Sequence, residues 1–235
     1  MDSALKAMIV LGGLLGTVPA AAAATPGPQL FGTAEFRVDS LAALPQWQNV
    51  LQRIARERPL YRACAEAAES CPSRSALAWQ TMLRDEAGQP RFEQIQMVNQ
   101  FLNRWQYRTD EQNYGQRDYW ATPLEFLRRS GDCEDYAIAK YISLRQLGFD
   151  AETLRMVVLR DVVRDLPHAV LAVYLDGEVY ILDNLTTAVL PQEQVRQYVP
   201  YYSVNETTRW AHVLPAETVA SSSPARASSP GVGRR

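Results

Sequence analysis

Read for the spacing of its apolar positions, the chain divides into a helical part and a stranded part. Leu41, Leu44, Trp47, Val50, Leu51 and Ile54 recur at helical intervals, which predicts a helix over 41–57. A second helix is predicted over 75–87. A third spans 91–107, where Phe92, Ile95, Val98, Phe101, Leu102 and Trp105 form one stripe. Such stripes face a core. Residues 109–121 are polar and aromatic with a glycine, and read as a loop. Thr122-Pro123 then opens a short helix over 124–129, as N-cap and first helical residue. Helical spacing returns over 136–147, directly after Gly131-Asp132-Cys133-Glu134-Asp135. Cys133 is thereby placed in the first turn of a largely buried helix, with Asp132 as candidate N-cap.

Beyond residue 147 the period shortens to two. Residues 152–160, 168–175 and 178–183 read as strands, and Asp176-Gly177 between the last two is a hairpin turn. Weaker signals predict a strand or extended arm over 30–36 and a short strand at 189–190. One or two helical turns are predicted over 192–198, and edge strands at 201–203 and 209–213. The two-residue turn sets the hairpin register: Leu175 opposes Glu178 and Val170 opposes Asp183. His168 and Asp183 are then diagonal neighbours on one face. That face also carries Val170, Ala172, Val179 and Ile181, and the Cys133 helix is its expected cover.

The two ends of the chain read differently from its middle. Lys6, the apolar run over 7–18 and the alanines before Thr25-Pro26 have the form of a secretory signal peptide over 1–24. The alternative is an uncleaved N-terminal anchor. A single domain is expected over 25–216, with a disordered Ser/Ala/Pro/Arg tail over 217–235. The expected location is the periplasm, with no membrane insertion after cleavage. A net charge of −2 gives no reason to expect nucleic acid as a partner. Three cysteines in an oxidising compartment leave one over. Cys64 and Cys71 could close a short loop if the helix ends before Cys71, and not if both stay helical. Cys133 is the natural free thiol.

A thiol, an imidazole and a carboxylate are the set needed for acyl attack, proton transfer and imidazole orientation, and Cys133, His168 and Asp183 supply it. The inert alternative is a buried cysteine, a strand-end histidine and an aspartate capping a turn. His212 has no comparable context and reads as structural. The flank of the thiol is the conflict: Asp132, Glu134 and Asp135 oppose its ionisation. Either Cys133 is inert or a cation sits on the acids. The spacings do not fit zinc, and carboxylates suit Ca²⁺, although no EF-hand loop is present.

Gly131-Asp-Cys-Glu-Asp-Tyr-Ala-Ile-Ala-Lys-Tyr141 resembles the signature of the bacterial transglutaminase-like cysteine proteinases, the LapG-type periplasmic proteases. So do Asp118-Tyr-Trp-Ala-Thr-Pro123, His168-Ala-Val-Leu171 and Leu182-Asp-Asn-Leu185. The resemblance runs from about residue 37 to 213. It implies an α+β papain/transglutaminase-like fold, with N-terminal helices and a central helix carrying the cysteine packed on an antiparallel sheet. It implies Cys133 as nucleophile, His168 as general base and acid, and Asp183 as orienting residue. It implies Ca²⁺ beside the nucleophile, with Asp132 and Glu134 as first-choice ligands and Asp118 and Asp135 as second-choice ones. The implied substrate is a large surface adhesin cut in its N-terminal region at a di-alanine site. The implied regulator is the output domain of an inner-membrane cyclic-di-GMP receptor. For an oxyanion hole, the Cys133 N–H and a donor near Trp120 are the expected pair. A transglutaminase- or amidase-type acyl transferase using the same triad, or a non-enzymatic periplasmic binding module, are the alternatives.

Overall fold

The structure is a computed structural model, and it describes residues 29–215. The expected signal peptide and tail lie outside the described residues. The helices are α1 (Pro45–Glu66), α2 (Arg74–Glu86), α3 (Arg91–Leu102), α4 (Asp110–Tyr114), α5 (Pro123–Arg129) and α6 (Cys133–Gln146). The strands are β1 (Ala34–Val38), β2 (Leu154–Asp161), β3 (Leu166–Leu175), β4 (Glu178–Leu182), β5 (Leu190–Pro191), β6 (Tyr198–Val204) and β7 (Arg209–Val213). They form one sheet of seven strands in the order β1-β7-β6-β2-β3-β4-β5, antiparallel at every step.

Helix α6 is enclosed on all sides, with every residue from Asp135 to Leu144 buried. It lies between the other helices and the sheet, against α3, α5, β2 and β3. Trp47, Trp79, Ile95, Leu102 and Phe126 meet Ile138, Tyr141 and Leu144 on one side of it. Leu154, Met156, Leu171, Val173 and Leu182 of the sheet complete the same core. The polar tips of the buried tryptophans are satisfied: Trp79 Nε1 donates to Ser143 Oγ at 2.8 Å, and Trp47 Nε1 to the Asn205 carbonyl at 2.7 Å. The α+β architecture implied by the family resemblance is the one found.

Three local differences have physical causes, and one open alternative is settled. Helix α1 runs through Pro59 to Glu66, because Tyr61 and Cys64 are buried and Tyr61 packs edge-on to Trp79 at 5.3 Å. The chain has left the helix before Cys71, and Cys64 and Cys71 form a disulfide with their Cα atoms 4.3 Å apart. The stretch expected to be a loop contains α4, started by a capping box between Thr109 and Gln112. Residues 192–198 hold a 3₁₀ turn, Gln192–Gln194, and then the start of β6. That strand and β7 lie inside the sheet, and β1 is the edge.

The hairpin register is the expected one, Leu175 opposite Glu178 and Leu171 opposite Leu182. Asp176 and Gly177 both have positive φ, 52° and 85°, as the tight turn requires. The expected cover of the sheet is reversed. The Leu171/Val173/Leu182 face takes α6, whereas Val170, Ala172, Val179 and Ile181 join a smaller cluster with Leu30, Val195 and Tyr198 on the other face. Residues of one strand alternate between faces, and the bulkier odd-numbered set of β3 faces the helices.

The turn between α5 and α6 sets where Cys133 sits. Gly131 is clamped by a bridge to Tyr107, and its carbonyl accepts the Arg108 N–H at 2.9 Å. A Cβ on Gly131 would stand 2.0 Å from Asp135 Oδ2, so only glycine fits while Asp135 folds back over the helix start. Gly131→Ala is therefore expected to cost about 2–4 kcal/mol of stability. Urea unfolding checks this, and a midpoint matching the wild type would show that Asp135 is free to move.

Candidate active site

Helix α6 begins at Cys133, so the thiol belongs to the first helical residue and Asp132 is the N-cap. The Asp132 N–H donates to Asp135 Oδ2 at 3.3 Å, the reaching-back half of a capping box. Cys133 is the free cysteine among the described residues, and it is partly exposed. Its sulfur lies within 3.2 Å of Glu134 Oε2. Burial pushes the thiol well above its usual range, and the charges of Glu134 and Asp132 push it further; the Ala169 backbone N–H, directed at the sulfur, pulls the other way.

That N–H is available because β4 ends early. In the β3–β4 ladder the odd-numbered residues of β3 turn their N–H groups towards β4, and the last pair is Leu171–Leu182. Ala169 is the next such residue, and no β4 residue opposes it. The sulfur lies near this N–H, which places the thiol beside β3 one residue from His168.

His168 and Asp183 are brought together as the register requires. His168 Nε2 is 2.9 Å from Asp183 Oδ1, with both side chains about 95 % buried. The Leu185 N–H donates to the same oxygen at 3.0 Å, and the Tyr198 hydroxyl donates to Oδ2. Asn103 Nδ2 donates to the Asp183 carbonyl at 2.7 Å, tying the residue to α3. Burial alone would raise the Asp183 pKa. The bonds from His168, Tyr198 and Leu185 overcome it, and the carboxylate is held below its ordinary value. With Nε2 on Asp183, the imidazole has Nδ1 left for the thiol. His212 lies elsewhere, buried between Thr33 Oγ1 and Ser203 Oγ, each at 2.8 Å. Burial pushes its pKa down to about 4, so it is neutral.

The acidic group differs from the expected one. Carboxylate oxygens of Asp110, Asp132 and Glu134 lie within 4.8 Å of one another. Asp118 does not join them: its oxygens accept from Trp120 Nε1 at 2.8 Å and Gln46 Nε2 at 3.0 Å, at an exposed position. Asp135 is also apart, fully buried and accepting from the Ala121 N–H at 2.6 Å and from Asp132. Its carboxylate builds the helix start. Asp110 was missed because its stretch read as a loop. The Thr109-x-x-Gln112 capping pattern was the signal that places it on a helix.

The trio is well matched to a hard cation. Asp110 Oδ1 and Asp132 Oδ1 are both buried without a hydrogen-bond partner, a costly state for carboxylate oxygens. Burial raises Asp110 to about 6, against the Tyr119 N–H that stabilises its charge. Burial and the neighbouring Glu134 and Asp135 raise Asp132 to about 9. All three donors are oxygens, at spacings that Ca²⁺–oxygen distances of about 2.3–2.6 Å can bridge.

A partly exposed thiol at a helix start, beside a buried imidazole–carboxylate pair on an antiparallel sheet, defines the papain/transglutaminase-like class of cysteine hydrolases. Residues 55–218 match the family model of the bacterial transglutaminase-like cysteine proteinases (BTLCP). The chain belongs to that family of cysteine proteinases. Calcium-bound LapG of Legionella pneumophila is 32% identical with a TM-score of 0.55, over 59% of this chain and 78% of that one. A second LapG structure is 28% identical with a TM-score of 0.58, over 68% of this chain and 91% of that one. An EGTA-treated LapG structure gives the same values. No curated protein matches.

The raised carboxyl pKa values fix a sign. In chelator, Asp110 and Asp132 bind protons more tightly folded than unfolded, where they titrate near 4. Folding stability should then fall as pH rises from about 4, through about 6, to about 9. Asp132→Asn should flatten this slope. Thermal unfolding against pH in EGTA checks it, and wild-type stability that rises over the same window would contradict it.

Proposed function

We propose that this chain is a periplasmic, calcium-dependent cysteine endopeptidase. Its substrate is a large surface adhesin, cut in the N-terminal region at a di-alanine site to control biofilm attachment. The output domain of an inner-membrane cyclic-di-GMP receptor restrains it. The observation that carries the catalytic part is the free Cys133 thiol at the start of α6, near the Ala169 backbone and so beside the strand that holds the buried His168–Asp183 pair. Family membership and the likeness to LapG support the substrate and the regulator, and the leader-like residues 1–24 support the compartment.

In this reading His168 takes the thiol proton through Nδ1, and the Cys133 thiolate attacks the scissile carbonyl carbon. Asp183 holds the ring by its Nε2 and stabilises the imidazolium. His168 then protonates the leaving amine, and water releases the acyl group. Two backbone donors suit the developing oxyanion. The Cys133 N–H is in the first helical turn and needs no helical acceptor. From Tyr119 to Thr122, three N–H groups donate to Asp110, Asp135 and Glu125, which leaves that of Trp120 free.

Asp110, Asp132 and Glu134 would hold the calcium ion. Bound there, it supplies positive charge that neutralises the acids around the thiol. Trp120 is fixed from behind, since Arg53 donates to its carbonyl and to Glu125 and Tyr119.

The test is cleavage of an adhesin N-terminal fragment by purified protein. Wild type with Ca²⁺ should give two fragments, and EGTA should stop it. Cys133→Ala should lower the rate by about 10³-fold or more, and so should His168→Ala. Paired Asp132→Asn and Glu134→Gln should remove the response to calcium. Cleavage by Cys133→Ala, or cleavage indifferent to EGTA, would overturn the proposal. A product carrying a new isopeptide bond would assign the acyl-transfer alternative.

A further inference from the structure

Among the described residues, Tyr198 is the one side chain that holds the far oxygen of Asp183, and a local irregularity in β6 aims it there. Strand β6 pairs with β2 in two registers, with Val158 opposite Tyr202 and Leu159 opposite Pro200. Tyr201 is thus an extra residue, a β-bulge. Below it, Val204 faces the α6 core. Simple alternation would send Tyr198, another even-numbered residue, to the same face. The bulge reverses the sequence of faces. Tyr198 emerges on the opposite face, buried among Leu30, Val170 and Val195. Its hydroxyl donates to Asp183 Oδ2, and its ring lies 5.6 Å from the His168 ring, tilted at 52°.

Resting on the assignment of Cys133, His168 and Asp183 above, we propose that Tyr198 is a positioning residue for the reaction. Its hydroxyl fixes the rotation of the Asp183 carboxylate and disperses its charge, and so sets how strongly that carboxylate holds the His168 imidazolium. The Leu185 N–H and His168 share Oδ1, and Oδ2 has the Tyr198 hydroxyl as its donor. Without that hydroxyl, Oδ2 would be a buried carboxylate oxygen with no partner. The negative charge on Asp183 would then be less dispersed, and its pull on the imidazolium greater. The ring could also rotate with the carboxylate away from the thiol. Burial, and next the hydrogen bond to Asp183 and then its charge, hold the Tyr198 pKa above its ordinary value, so the hydroxyl keeps its proton and donates.

Other groups face this cluster, and none of them replaces the tyrosine. Lys140 comes from α6, buried with its Nζ unpaired and pushed down to about 7 by burial, with the Asp183 charge opposing. Asp161 of β2 is opposite Tyr198 in register, and its Oδ1 accepts from Val163 and Arg164. Cys133 and Glu134 stand at the start of α6, and Asn103, the C-cap of α3, reaches Asp183 only at its backbone carbonyl. None donates to Oδ2 among the described residues.

The experiment follows the His168 imidazole by ¹⁵N NMR over pH in tag-free, calcium-loaded protein, which has two histidines. A His212 variant assigns the signals. In Tyr198→Phe the ring is kept, and the His168 midpoint should move up by about half a pH unit or more. kcat on the adhesin fragment should fall about tenfold, with KM changed less than twofold. In an Asp183→Asn background the same substitution should change kcat less than twofold, because Tyr198 acts through Asp183. A midpoint that stays or falls in Tyr198→Phe would overturn the inference, as would a full tenfold loss in the Asp183→Asn background. Should Tyr198→Phe not fold, 3-fluorotyrosine at position 198 keeps the ring and is a stronger donor. The midpoint should then move down, and an unmoved midpoint would overturn the inference equally. If wild-type protein cleaves nothing, the catalytic assignment fails on its own, while the NMR titration still reports on Tyr198.

Discussion

Because β4 stops at Leu182, the Ala169 N–H has no β4 partner, and the start of α6 brings the Cys133 sulfur near it. The site depends on this open end of the sheet. It brings the start of α6 to the same strand residues that present His168. The thiol comes from the start of a helix and the imidazole from a strand of the sheet. The short strand also lets the chain turn at Asp183, whose carboxylate reaches back to His168 while its carbonyl is tied to α3 through Asn103.

The second constraint is electrostatic. Asp110, Asp132, Glu134 and Asp135 crowd the start of a buried helix. The helix dipole and the free N–H groups there favour negative charge, and Asp135 makes good use of them through Ala121 and Asp132. The other three face one another, two with orphaned buried oxygens. Burial and the neighbouring charges raise the Asp110 and Asp132 carboxyls and the thiol above their ordinary values, and a protonated thiol is the wrong state for a nucleophile. In the proposed reading, a divalent cation held there would reverse those effects, and the acids that oppose the thiolate would place positive charge beside it.

Much of this was legible in the sequence. The Asp176-Gly177 turn fixed the hairpin register, and with it the meeting of His168 and Asp183. Helical spacing after Gly131 placed Cys133 at the head of an enclosed helix. Face assignment was not legible, because both sets of β3 residues are apolar. A strand buried on both faces carries no alternation to say which side holds the helix. Asp110 was hidden in a polar stretch, and its role depends on a fold that returns α4 to the start of α6. Tyr198 was hidden by the bulge at Tyr201, which depends on pairing between β2 and β6 and leaves no local mark.

The central claim is that the Cys133 sulfur is a thiolate paired with the His168 imidazolium when calcium neutralises the acids. The most direct measurement is the rate of Cys133 alkylation by iodoacetamide across pH 4–10, with calcium and with EGTA. The account predicts fast alkylation near neutral pH with calcium, lost in His168→Ala, and in EGTA a rate that rises only at strongly alkaline pH. An alkylation profile that is the same with calcium, with EGTA and in His168→Ala would contradict it.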